Sequence, residues 1–108
     1  MLFRSPRPVS SDALLPERAL AGDGEAREAL IDHVYLPLAK AGDVLLDTVT
    51  AFLAAGGALE TTARALFVHA NTVRYRLRRV GEICGEAPTD PRGAFTIQVA
   101  LTLGRLDV

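Results

Sequence analysis

The chain has 108 residues, twelve of them basic and thirteen acidic, with 49% apolar, 6% aromatic and no Trp. That length is about one domain, and a core made of Leu, Ala and Val suits close-packed helices more than a sheet. The lone Cys84 excludes an intrachain disulfide framework and a Cys-based zinc site, no apolar run reaches membrane-spanning length, and no secretory apolar block opens the chain, so the cytoplasm is expected.

Residues 1–22 read as a flexible tail or the remnant of an upstream domain. Its first part is rich in Pro and Ser, which discourage helix and sheet alike. Residues 14–21 are open to a short helix. Arg4 and Arg7 invite comparison with minor-groove arms, against the plainer reading of a disordered terminus.

A helical domain is expected over residues 23–108. Asp23 suits an N-cap, with Glu25 and Glu28 early in the helix that follows and Ala26, Leu30 and Val34 as its apolar stripe. Pro37 is expected to end or bend that helix near Leu36. Asp43 then caps a second helix carrying Leu45, Leu46, Val49, Phe52 and Leu53, which Gly56 and Gly57 stop.

Two short amphipathic patterns joined by a tight turn follow, at about residues 59–84. Ala63, Leu66 and Val68 point inward from the first, and Val73, Leu77 and Val80 continue inward from the second. Residues 61–81 hold five arginines (Arg64, Arg74, Arg76, Arg78, Arg79) and no acid. Removing those five from the twelve basic residues leaves seven against thirteen acids elsewhere. A cationic stripe on an acidic body is the pattern of a nucleic-acid surface. Solvated helix faces mix signs at i,i+4 spacing, and this one does not. A short helix, a tight turn and a basic second helix form the layout that sets one helix into the major groove of DNA.

With Val73, Leu77 and Val80 inward, Asn71, Thr72, Tyr75, Arg78 and Arg79 lie on the opposite side and Arg74 on the flank. The first turn enters the groove, so His69, Ala70, Asn71, Thr72 and Tyr75 are nearest the bases. Asn71 is suited to adenine and arginine to guanine, and Thr72 to a phosphate. Arg78 and Arg79 position the backbone. His69 is equally suited to capping the helix. Arg76 sits beside the core face and reads as structural, its guanidinium bonded to carbonyls or a carboxylate within the domain. Phe67 stands where many such turns use Gly, so either the turn has another backbone or Phe67 is strained. Cys84, on the face of Val73, Leu77 and Val80, reads as a small buried hydrophobe.

Gly85 and Pro88 close this helix, and Asp90 with Pro91 opens the last one. That element is apolar nearly all round and needs cover on both sides. A second copy of the chain is the expected cover, with Phe95, Val99, Leu101, Leu103 and Leu106 at the interface.

From about residue 36 to 106, the tracts LLDTVTAFLAAGG, TARALFVHANTVRYRLRRV and DPRGAFTIQVALTLGRL resemble the C-terminal domain of PucR-type transcriptional regulators, which include the sugar-diacid regulators. The core met by His69, Asn71, Thr72, Tyr75, Arg76 and Leu77 is specific to that family. The resemblance implies an all-α bundle of about five helices, dimeric binding to double-stranded DNA at an inverted-repeat operator, and control of transcription. It also implies a turn of the family's own around Phe67 and Arg76. Ala70 stands where many members are basic, and Gly81 replaces a commonly charged position. The family's sensor domains do not fit in this length, so the effector would bind a domain absent here and the chain reads as a fragment or shortened relative.

The competing class is a helical interaction or dimerisation module whose arginines grip an acidic protein. RNA binding would call for more exposed aromatics than Tyr75. For an enzyme the residues are lacking: no Gly-rich phosphate loop, metal-ligand cluster or nucleophile with a spaced base is present, and no cofactor or metal is expected.

Overall fold

The computed structural model describes residues 14–106, and all its regular structure is helical. Helix α1 (Leu15–Leu20) starts with Pro16, whose missing N–H costs nothing in a first turn. The segment expected as tail through residue 22 thus contains a helix docked on the bundle, with Pro16 and Ala19 buried against its neighbours. Two ionic ties accompany that burial: Arg92 grips both carboxylate oxygens of Glu17, and Arg18 Nε donates to Asp23 Oδ2 at 2.9 Å. Arg4 and Arg7 lie outside the described residues.

Asp23 caps α2 (Gly24–Leu30) as expected, its Oδ1 accepting from the Glu25 and Ala26 amides at 3.0 and 3.2 Å. The helix does not end near Leu36. It widens into a π-helical turn (Ile31–Tyr35), in which the Leu36 amide donates to Ile31 O, and continues as α3 (Leu36–Ala41). Pro37 lacks an N–H and crowds the carbonyl one turn back. The wider turn just before it accommodates that loss. Gly42, at φ 110, then reverses the chain and itself occupies the N-cap of α4 (Asp43–Ala54). Asp43 is therefore the first helical residue rather than the cap, and its charge still faces the positive end of the helix dipole. Gly56 and Gly57 stop α4 at φ 67 and 84.

The helix-turn-helix comprises α5 (Leu59–Leu66) and α6 (Ala70–Cys84), and the last helix is α7 (Pro91–Leu106). Leu30, Leu38, Val49, Val73, Val80 and Ile97 are fully buried and form the centre of the core. Ala63 and Val73 are both buried, the small Ala63 letting α5 and α6 approach. Asp90 caps α7 by accepting from the Arg92 and Gly93 amides, each at 3.1 Å.

The expected need for a second copy to cover α7 is not met in the way proposed. Within the same chain α7 packs on α1, α2, the π turn and α4, leaving Val99 at 7% and Leu101 at 2% exposure. These two are core residues and unavailable as an interface. Phe95, half covered by the Arg92 guanidinium 5.8 Å above its ring, and Leu106 remain exposed, with Leu103 partly buried. No described helix is long and apolar enough to cross a membrane.

Candidate nucleic-acid interface

Phe67 closes α5 in the left-handed conformation, φ 58 and ψ 41, with its ring 94% exposed. The turn is thus the one that favours Gly, held here by a strained Phe. Val68 folds back against the core, its amide bonded to Ala63 O at 3.0 Å. His69 is extended, and its Nδ1 accepts from the Asn71 amide at 3.0 Å. Of the two roles open to His69, the capping one is what the geometry holds, and Nε2 is the ring's remaining polar atom.

From this cap α6 runs with Val73, Leu77, Val80 and Cys84 buried along one side. Asn71, Arg74, Tyr75, Arg78 and Arg79 are exposed, Tyr75 at 59%, and Thr72 is partly buried at the edge. The helix therefore brings the expected residues to one outward face, positioned by an apolar underside. Arg74 Nη1 donates to Asn71 Oδ1 at 2.6 Å, so these two side chains form a joined pair. Arg79 Nη1 pairs with Glu82 Oε1 at 2.6 Å, which offsets part of its charge, whereas Arg78 has no partner among the described residues. Both pairs follow the i,i+3 spacing of a helix. The sequence carries that signal in the spacing of Asn71 with Arg74 and of Arg79 with Glu82.

Arg76 stays off this face. Its Nη1 donates to Thr48 Oγ1 at 3.4 Å, and Thr48 in turn donates to Val44 O at 2.7 Å. The structural role expected for Arg76 holds, with a hydroxyl as partner in place of a carbonyl or carboxylate. Cys84 is buried; burial pushes its thiol pKa up, and the Sγ lies 3.6 Å from Glu86 O. Among the described residues no three His, Cys, Asp or Glu side chains gather to hold a metal ion.

A family model of the PucR C-terminal helix-turn-helix domain matches residues 45–103, which takes in α5, the strained turn, α6 and most of α7. The chain belongs to that family. Over 103 residues this PucR-type domain is 53% identical to an uncharacterised protein of Mycobacterium tuberculosis (strain ATCC 25618 / H37Rv), covering 95% of the chain and 25% of the relative. It is 37% identical over 62 residues to the purine catabolism regulatory protein of Bacillus subtilis (strain 168), covering 57% of the chain and 12% of that protein. The crystal structure of a regulator of polyketide synthase expression from Bifidobacterium adolescentis superposes with a TM-score of 0.85 at 50% identity, covering 89% of the chain and 38% of that structure. The PucR-type domain thus spans about a quarter of the length of the mycobacterial relative.

Proposed function

We propose that this domain is the DNA-binding output module of a transcriptional regulator, with α6 set in the major groove of an inverted-repeat operator and a second copy on the other half-site. The observation that carries the reading is the outward face of α6. The first two turns present Asn71, Arg74 and Tyr75 outward, and Arg78 follows one turn on, all fixed by a buried underside. Two relatives whose names describe regulators support the same reading. In this reading the work is done in the cytoplasm, without catalysis, cofactor or metal.

Within this reading Asn71 and Arg74 read bases as a unit, Arg74 taking guanine while Asn71 holds its guanidinium and uses its own amide on a neighbouring base. Thr72, Tyr75, Arg78 and Arg79 position the backbone, and His69 shapes the helix entry. Phe95, Leu103 and Leu106 are the α7 residues left to contact a second copy.

The test begins with selection of bound sites from a random duplex pool, followed by affinity measured against salt. Several phosphate contacts make affinity fall steeply as salt rises. Arg78→Ala should weaken selected and random duplexes alike and flatten the salt slope. Asn71→Ala should weaken the selected duplex only, by less than the roughly 1–3 kcal/mol of a bidentate pair, and should do so non-additively with Arg74→Ala. Affinity without salt slope or sequence preference would sink the reading and favour an acidic protein partner.

A further inference from the structure

The flank of α6 carries a second feature, which shares Arg74 and Arg78 with the duplex-facing side. An open groove of about 730 Å³ runs between α6, the end of α4, the start of α5 and the loop leading to α7. Phe52, Leu59, Leu77 and Pro88 give it an apolar lining, and Arg74 and Arg78, one turn apart, border it from α6. Gly57, Gly81 and Gly85 contribute backbone without side chains. The acid that also borders it, Glu82, is already bonded to Arg79 at 2.6 Å. Arg78 has no partner among the described residues, and Arg74 spends one of its donors on Asn71.

We propose that this groove binds small apolar carboxylates, and that an occupied groove competes with DNA for Arg74 and Arg78. The second half rests on the function proposed above; the first does not. Charge complementarity chooses the occupant. A neutral apolar molecule gains nothing from the two arginines, and a bare anion gains nothing from the Phe52, Leu59 and Leu77 surface. A carboxylate on an apolar body satisfies both, because the guanidinium fork matches a carboxylate's two oxygens. The groove's size falls within the range of small-molecule sites, about 300–1,000 Å³.

The probe is 1-naphthoate, titrated into the whole chain and followed by the methyl NMR signals of Leu59 and Leu77. Naphthalene-1-methanol and inorganic phosphate serve as the neutral and ion-only controls. The expected result is a saturable shift of both methyls by naphthoate, with each control weaker by at least about fivefold and Arg78→Ala weakening naphthoate by a similar factor. Circular dichroism of Arg78→Ala, an exposed position, should be unchanged. Absence of a saturable shift, equal binding of the alcohol, reproduction of the shift by phosphate alone, or indifference to Arg78→Ala each overturns the site. Saturating naphthoate should also raise the apparent Kd for the selected duplex. An unchanged Kd overturns the competition. Naphthoate binding by a chain with no affinity for DNA would overturn the proposed function and leave the site standing.

Discussion

Phe67 occupies a backbone position that penalises any residue with a Cβ. The left-handed region costs an L-residue roughly 1–2 kcal/mol, and a ring that is 94% exposed recovers almost nothing by burial. Replacement by glycine removes the strain but gives the unfolded chain more freedom, which takes back ~0.5–1 kcal/mol. Phe67→Gly should therefore stabilise the domain, by up to about 1 kcal/mol. Gly81 is the reverse case. It lies inside α6, where Ala is better by ~1 kcal/mol. A methyl there would meet Glu86 O at 3.7 Å and Pro88 Cδ at 4.0 Å, ordinary contact distances. Gly81→Ala should also raise the urea midpoint. A lower midpoint for either variant would show that the turn or the α6–loop contact is tighter than these distances imply.

At the scale of elements, α7 shows where a sequence pattern stops being informative. Its Phe95, Ile97, Val99, Leu101 and Leu103 specify a helix that must be covered, but an apolar face does not say by what. The cover proved to be α1, α2, the π turn and α4 of the same chain. Helix α1 was left open in the sequence because six residues beginning after a Pro- and Ser-rich run carry little periodic signal. It docks through buried Pro16 and Ala19 and through Arg92 on Glu17, contacts between residues far apart in the chain that no local pattern encodes. The π turn was hidden for a related reason: Pro37 announces a disturbance, while the choice between breaking and widening depends on packing around Tyr35. Gly104 shows that packing, since a methyl there would overlap the Tyr35 ring. The face of α6 was legible, because Val73, Leu77 and Val80 at i, i+4, i+7 fix its rotation and hence what points outward.

This correction changes what a mutation in α7 should do. Leu101→Asp places an unpaired carboxylate in the core, at a cost of roughly 3–5 kcal/mol, a large share of a domain's stability. It should lose cooperative unfolding in circular dichroism rather than yield a folded monomer. Leu106→Asp, at a 73% exposed position, should keep the fold and lower only self-association in ultracentrifugation. A folded, well-dispersed NMR spectrum for Leu101→Asp would return Leu101 to the surface and revive its place at an interface.

Across the whole molecule the ionic ties of α1 set an acid limit on the bundle. The hydrogen bond from Arg92 holds the Glu17 carboxyl below its ordinary value, and that from Arg18, with the Ala26 amide, does the same for Asp23. A carboxyl whose pKa is lower in the folded state favours folding above its unfolded value, and the benefit is lost as pH falls through the lowered one. Both groups are exposed, so the effect is screened and should weaken with salt. Between neutral pH and about 3, below the ordinary carboxylate range, α1 should therefore loosen before the core around Val49, Val73 and Ile97 opens. Hydrogen exchange at low salt would show it as protection lost at Ala19 and Leu20 while Val80 and Ile97 stay protected. Glu17→Gln should weaken α1 already at neutral pH and remove the part of the acid dependence that belongs to Glu17. Identical pH dependence in Glu17→Gln, or simultaneous opening of α1 and the core, would mean that α1 is held by Pro16 and Ala19 burial and not by charge.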